Sequence, residues 1–282
     1  MIDLNKLVGE PLHFSRGVSG GCIASNSIYK GESGRSYFVK QYPGNLGEAK
    51  AKAEVTGLTE LLKPGIIYIP KVSGCEKNVI VLEFIETGNC GPGFHQNFGR
   101  SLAFLHKCTS DAGFGFTEDN FIGDSLQINL PRNSKWHDFY ITNRLMPQFK
   151  LMEKNGFTDS SINKLFDRML INLGKIIDDK AVIPSLLHGD LWSGNYLVSK
   201  TGEAVIFDPA VYYGDRETDL SMTLLFGGFD KQFYSAYNDE FPLEYGNEER
   251  VKLYQLYHFM NHLNLFGSSY YREVIDIFKK YN

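Results

Sequence analysis

"LLHGDLWSGNYLV", residues 186–198, decides how this chain is read. Apolar pairs at both ends fix the segment in a core, whereas "HGDLWSG" between them suits neither a continued strand nor a helix. Asp190 and Asn195 are therefore expected on a rigid, partly buried loop. Thirteen residues after Asn195, at the end of the next apolar run, stands Asp208 in "VIFDPA". Two carboxylates and a carboxamide oxygen gathered across a loop and a hairpin suit a hard cation such as Mg²⁺. That ion takes one or two protein oxygens and leaves its other positions to water and phosphate. ATP is the second ligand such an arrangement anticipates.

Upstream, "SRGVSGGCIASNSIYKGESGRSYFVKQY" reads as a glycine-rich turn followed by two short strands, "SNSIY" and "SYFVK". "LGEAKAKAEVTGLTELLK" is a helix stopped by Pro64 and Gly65, and "IIYIPKVSG" and "NVIVLEFIE" are further strands. The breaker cluster "TGNCGPG" after Glu86 marks the main boundary, so a β-rich front lobe, 1–86, precedes a helical lobe, 87–282. In the latter, "FHQNFGRSLAFLHKC", "KWHDFYITNRLMPQFKLMEK" and "SSINKLFDRMLINLGKIIDD" read as helices, with Pro147 expected to kink or break the second. "NYLVSKTGEAVIFD" reads as a hairpin. "EERVKLYQLYHFMNHLNLFG" reads as an amphipathic helix ending at Gly267, with Tyr254, Tyr257, Phe259 and Leu263 as core and His258 and His262 as ordinary helix residues. The fold class is α+β.

A chain of 282 residues with 43% hydrophobic and 22% charged residues is an ordinary globular protein able to bury a large core. A formal net charge of −4 and the lack of basic runs argue against a general nucleic-acid or anionic-membrane binder. Cys22, Cys75, Cys90 and Cys108 form no CxxC pair, so reduced thiols rather than zinc or disulfides are expected. No signal-peptide pattern or membrane-length apolar run is present, which reads as a cytoplasmic protein.

The Asp190…Asn195…Asp208 spacing resembles the kinase catalytic core, where D-x-x-x-x-N is followed by a metal-binding Asp on the next hairpin. Gly189 stands where protein kinases carry Arg, the metal motif is Asp208-Pro209-Ala210, and no Ala-Pro-Glu follows. These departures point to small-molecule kinases of the aminoglycoside and choline phosphotransferase type. "LLHGDLWSGN", "FDPAVYYGDRETDLSMTLLFGGF" and "LYQLYHFMNHLNLFG" together resemble the fructosamine kinase (ketosamine-3-kinase) family, from about residue 17 to about residue 270.

That resemblance implies a protein-kinase-like two-lobe fold, ATP and Mg²⁺ as cofactors, and a ketoamine or glycated-protein acceptor phosphorylated on its 3-hydroxyl in deglycation repair. Asp190 would orient the attacking hydroxyl or take its proton, and Asn195 and Asp208 would bind the metal. Lys40 would meet the nucleotide phosphates, held by Glu54 or Glu48, of which the family pattern favours Glu54. Gly17, Gly20 and Gly21 would cover the phosphates with backbone N–H groups. Glu83, Phe84 and Ile85 would form the hinge against adenine. Cys22 is placed like the family's redox-sensitive cysteine, which implies a monomer or a redox-linked dimer. Trp192 either stacks on a sugar or plugs the core, and Asp215 and Glu217 either meet a substrate amine or are plain surface carboxylates. Asp219 is read as a helix N-terminal or loop-bracing carboxylate rather than a third metal ligand. Other readings are a different small-molecule kinase, or an ATP-binding pseudokinase.

Overall fold

The computed structural model describes residues 2–18 and 24–282. Its first part runs α1 (Leu4–Val8), β1 (Leu12–Val18), β2 (Ser25–Gly31), β3 (Ser36–Gln41), α2 (Gly47–Leu62), β4 (Val72–Glu76) and β5 (Val79–Glu83). The strands make one antiparallel sheet in the order β1-β2-β3-β5-β4. Alternation along each strand divides the side chains between two faces. Tyr37, Val39, Val79 and Val81 pack with Leu4 and Leu7 of α1. Phe38, Ile80 and Leu82 turn the other way, into the main core with Ala51 and Leu58 of α2. Lys40, two residues after Phe38, shares that second face and so meets α2.

Arg16, Gly17 and Val18, expected in a glycine-rich turn, belong to β1. Gly17 lies inside β1, paired with Ser27. β1 is an edge strand with both faces largely exposed, so no apolar alternation marks it in the sequence. Gly20, Gly21 and Cys22 lie outside the described residues. α2 stops before Pro64-Gly65 as expected, and its buried stripe is Lys50, Ala51, Glu54, Leu58 and Leu61. Gly57 lets that helix close on the catalytic segment, because a Cβ there would stand 3.1 Å from Pro209 Cγ.

The second part begins with α3 (Phe94–His106) and the hairpin β6 (Asn120–Ile122)–β7 (Ser125–Gln127). α4 (Trp136–Phe139) then continues through a π-helical turn, Tyr140–Leu145, into α5 (Met146–Lys154). Pro147 therefore does not break the segment. It sits in the first turn of α5, and the widened turn before it accommodates a residue that cannot donate a backbone hydrogen bond.

α6 (Ser160–Leu173) leads to β8 (Ser185–Leu187), β9 (Tyr196–Val198), β10 (Ala204–Ile206) and β11 (Tyr212–Gly214). β9 and β10 form the expected hairpin, while β8 pairs antiparallel with β11, so the loop after β8 is clasped from both ends. The chain closes with α7 (Arg216–Thr223), α8 (Lys231–Glu240), α9 (Asn247–Phe266) and α10 (Tyr271–Lys280). α9 ends at Gly267 and buries Tyr254, Tyr257, Phe259 and Leu263 as expected, but it is not amphipathic along its middle. It is buried on every side from Leu253 to Asn261, because α5, α7 and α10 all pack on it. The product is a small sheet lobe on a larger helical lobe. Among the described residues no helix is long and apolar enough to cross a membrane.

Candidate active site

A cleft of about 600 Å³ lies between the sheet lobe and the helical lobe. Lys40, Glu54, Asp190, Trp192, Asn195 and Asp208 all line it. Lys40 Nζ stands 2.8 and 2.7 Å from the two carboxylate oxygens of Glu54, and 2.7 Å from Asp208 Oδ1. Glu48, the other candidate, pairs instead with Lys52 at the surface. Burial opposes the charge on Lys40, but Asp208 and Glu54 overcome it and hold the ammonium's pKa above its ordinary value. Burial likewise pushes the Glu54 carboxyl upward, against the pull of Lys40.

The loop after β8 is braced from beneath. Asp219, on α7, accepts the backbone N–H of His188 at 2.7 Å and of Gly189 at 2.8 Å, and faces His106 Nε2 at 3.3 Å. Burial would raise the Asp219 pKa, yet these donors, with His106 the largest, hold it below the usual carboxylate value. Asp219 thus has the bracing role read from the sequence.

His188 adds a fastening that the sequence reading gave no role. Its Nε2–H donates to the Phe207 carbonyl at 3.0 Å, and its Nδ1 accepts the Asp190 N–H at 3.3 Å. One neutral imidazole, kept neutral mainly by burial, so ties the residue before Asp208 to Asp190 itself. Gly189 has φ +83°, and a Cβ there would fall 2.0 Å from the Ala210 carbonyl oxygen. The arginine of protein kinases has no room at this position.

Asn195 Nδ2 donates to the Asp190 carbonyl at 2.8 Å and to Asp190 Oδ2 at 3.2 Å. That commits the amide nitrogen and leaves the carboxamide oxygen for another ligand. Asp208, held at φ +57°, spends one oxygen on Lys40 and keeps the second. A carboxamide oxygen and a carboxylate oxygen on one cleft wall fit Mg²⁺, with phosphate and water completing its shell. The Asp190 carboxyl is pushed up to about 7, by burial first and by the Asp208 charge second.

The remaining wall of the cleft is aromatic. Trp192 meets Phe226 edge-on at 5.5 Å, Phe226 meets His262 edge-on at 5.5 Å, and His262 stacks on Tyr270 at 5.1 Å. Trp192 packs on the core and also lines the cleft. Opposite, the β6–β7 hairpin contributes Phe121 and Gly123, and its Asp124 pairs with Lys50 of α2.

Some expected contributors fall elsewhere. Asp215 and Glu217 do not line the cleft; both are buried in the helical lobe and committed to it. Asp215 caps α7 through the Glu217 N–H at 2.9 Å and accepts the Tyr254 hydroxyl at 2.6 Å. Glu217 forms a two-pronged pair with Arg250 at 2.7 and 2.6 Å. Glu83 ends β5, its backbone N–H taken by Lys71 O, and Phe84 and Ile85 leave the sheet; none of the three lines the cleft.

The residues missed were on α9. His258, Asn261, His262 and Leu265 follow one another at i, i+3, i+4 and i+7 and face the cleft together. Polar residues at that spacing in an otherwise apolar helix were the available signal.

A family model described as fructosamine kinase matches residues 4–281. The chain belongs to the fructosamine kinase family. Its relatives in that family include the chloroplastic protein-ribulosamine 3-kinase of Oryza sativa subsp. indica, 40% identical over 94% of this chain and 77% of the relative. The corresponding Arabidopsis thaliana protein is 38% identical over 94% of this chain and 81% of its own length. A crystal structure of a Thermobifida fusca fructosamine-3-kinase candidate superposes with TM-score 0.88 at 28% identity, covering 99% of this chain and 96% of that one. An ADP-bound aminoglycoside phosphotransferase, APH(2'')-Ib, shares the protein-kinase-like two-lobe fold at TM-score 0.66 and 14% identity, covering 98% of this chain and 95% of that one.

Proposed function

We propose that this fructosamine-kinase-family protein transfers the γ-phosphoryl group of ATP to the 3-hydroxyl of a ketoamine, the rearranged adduct of a sugar and an amine. The observation that carries this reading is that Lys40, Asp190, Asn195 and Asp208 line a single cleft with an aromatic wall. A pseudokinase would have no need to keep all four. The relatives' names, protein-ribulosamine 3-kinase among them, favour a ketoamine over an aminoglycoside.

In this reading the acceptor hydroxyl meets Asp190, whose desolvated carboxylate takes the proton as the oxygen attacks phosphorus. The Asn195 amide and the Asp190 backbone bond to His188 keep that carboxylate in place. Lys40 meets the nucleotide phosphates, and Glu54 limits its swing. Asn195 and Asp208 would hold Mg²⁺, which neutralises charge on the phosphate oxygens. Trp192 supplies a flat face for the sugar chain. No covalent enzyme intermediate is required, since positioning and charge stabilisation carry the rate. Residues 1–86 would cover the nucleotide and 87–282 would hold the catalytic loop and acceptor. The phosphorylated ketoamine is unstable and releases its amine, which makes the reaction a repair step.

The test is ADP release from ATP and Mg²⁺ with ribulosamines, fructosamines and aminoglycosides, for wild type and Asp190→Ala. Turnover of a ketoamine, abolished in the variant, is expected. Turnover of the aminoglycosides alone would overturn the assignment.

A further inference from the structure

Five side chains of α9 line the cleft, His258, Asn261, His262, Leu265 and Phe266, and four of them have visible hydrogen bonds or a packing role. Asn261 donates to the Ile122 carbonyl at 3.5 Å and accepts from Gln148 at 3.2 Å. His262 is stacked between the Phe266 and Tyr270 rings with Phe226 at its edge. Leu265 is apolar wall. His258 differs. It is only 4% exposed, lines the cleft, and its buried Nδ1 has no hydrogen-bond partner among the described residues. Its ring contact is with the Tyr257 ring at 5.3 Å, which offers that nitrogen no hydrogen bond.

A shut-in polar atom without a partner costs the fold about 1–3 kcal/mol. An apolar residue of similar size would avoid that cost, and the neighbouring Phe259 and Met260 show that this helix buries such residues readily. The imidazole is also kept uncharged: burial, with the adjacent His262 and Arg144, pushes its pKa down to about 3. A neutral ring can accept a hydrogen bond from a hydroxyl or donate one to a carbonyl, and it does so unchanged at every pH where the enzyme would be assayed.

We infer that His258 is a specificity-determining residue of the acceptor site, hydrogen-bonding an oxygen of the polyhydroxy chain other than the one phosphorylated. This deepens the ketoamine-kinase reading and rests on its acceptor side. The nucleotide is met by Lys40 and Asp208 on the facing wall, so the group left for His258 belongs to the acceptor. His262 shares an unpartnered Nδ1, but its ring is held among Phe226, Phe266 and Tyr270, whereas His258 sits in no such stack, which leaves the His258 imidazole as the α9 group a sugar oxygen would complete.

The experiment measures acceptor and ATP kinetics for wild type, His258→Phe, His258→Asn and His258→Gln, with thermal unfolding of each. Acceptors are a ribulosamine and its analogue lacking the 4-hydroxyl. His258→Phe is expected to raise the ribulosamine KM roughly five- to tenfold, as one neutral hydrogen bond implies. The KM for ATP should stay within twofold and Tm should hold or rise. Asn places an amide near Nδ1 and Gln places one near Nε2, so one of the two should recover most of the lost affinity. The penalty for the missing hydroxyl should shrink in His258→Phe.

An unchanged ribulosamine KM in stably folded His258→Phe overturns the inference. So does a loss of Tm with acceptor kinetics preserved, which would mark a packing role. Ribulosamine turnover by wild type judges the ketoamine reading separately. If wild type phosphorylates another hydroxylated acceptor instead, the same His258→Phe ratio is read on that acceptor; turnover of none overturns both.

Discussion

Lys40 Nζ stands 2.7 Å from Asp208 Oδ1, joining two residues 168 positions apart in the chain. The proposed phosphate-binding cation and the proposed metal-binding carboxylate are therefore bonded to one another as well as aimed at the same cleft. With Glu54 on its other side, Lys40 carries two carboxylates, and removing it strands the buried one. Lys40→Met should lower kcat by about 10²–10³ and destabilise by about 3–5 kcal/mol. Adding Glu54→Gln should restore much of the stability and none of the activity. Chemical denaturation of the two single variants and the double variant reads the coupling.

Gly189 leaves no tolerance for a side chain. Its φ is +83° and a Cβ would overlap the Ala210 carbonyl oxygen. Gly189→Ala should lose at least about 2 kcal/mol from backbone strain alone and most of its turnover. Gly202, at the same φ with nothing near its missing Cβ, is the control: Gly202→Ala should pay for strain without losing activity.

Asp219 should behave as a positioning residue. Asp219→Asn turns an amide N–H₂ toward one of the two backbone donors it now accepts, costing about 1–3 kcal/mol. kcat should fall while the KM for ATP stays near its wild-type value. Because the folded-state pKa of Asp219 is depressed, its contribution is present above the unfolded pKa near 3.8 and is lost only as pH falls below that value. The difference in Tm between wild type and variant should therefore be flat from pH 5 to pH 8.

Asp190 has the opposite sign. Its folded-state pKa is raised to about 7, so the folded protein binds the extra proton, and stability declines as pH rises from about 4 through about 7. Asp190→Asn removes that penalty. Its Tm advantage over wild type should be absent near pH 4, grow through the window and level off above pH 7, at about 2–4 °C for each kcal/mol in a chain of this size. Activity should be lost at every pH. In wild type, kcat/KM should fall on the acid side with an apparent pKa near 7.

The loop "HGDLWSG" between apolar pairs announced Asp190 and Asn195 because breakers flanked by core residues leave the backbone little choice. The β9–β10 hairpin likewise followed from turn chemistry around Gly202. What the sequence hid was tertiary. β1 carries no alternation because its faces are exposed, and Pro147 is harmless only because a π-helical turn precedes it. Asp215 and Glu217 look like surface carboxylates, yet Tyr254 and Arg250, both from α9, engage them in the interior. The cleft face of α9 was missed since its polar residues do not all point one way: Gln255 and Asn264 are bonded to other elements, so the stripe of His258, Asn261 and His262 did not stand apart.

The most direct test is ³¹P NMR of wild type with ATP, Mg²⁺ and a ribulosamine, followed by assignment of the phosphorylated carbon. The account predicts a new phosphomonoester resonance coupled to the proton on C3, appearing as ATP is consumed and missing with Asp190→Ala. A phosphomonoester on another carbon, or the same resonance formed at an undiminished rate by Asp190→Ala, would contradict it.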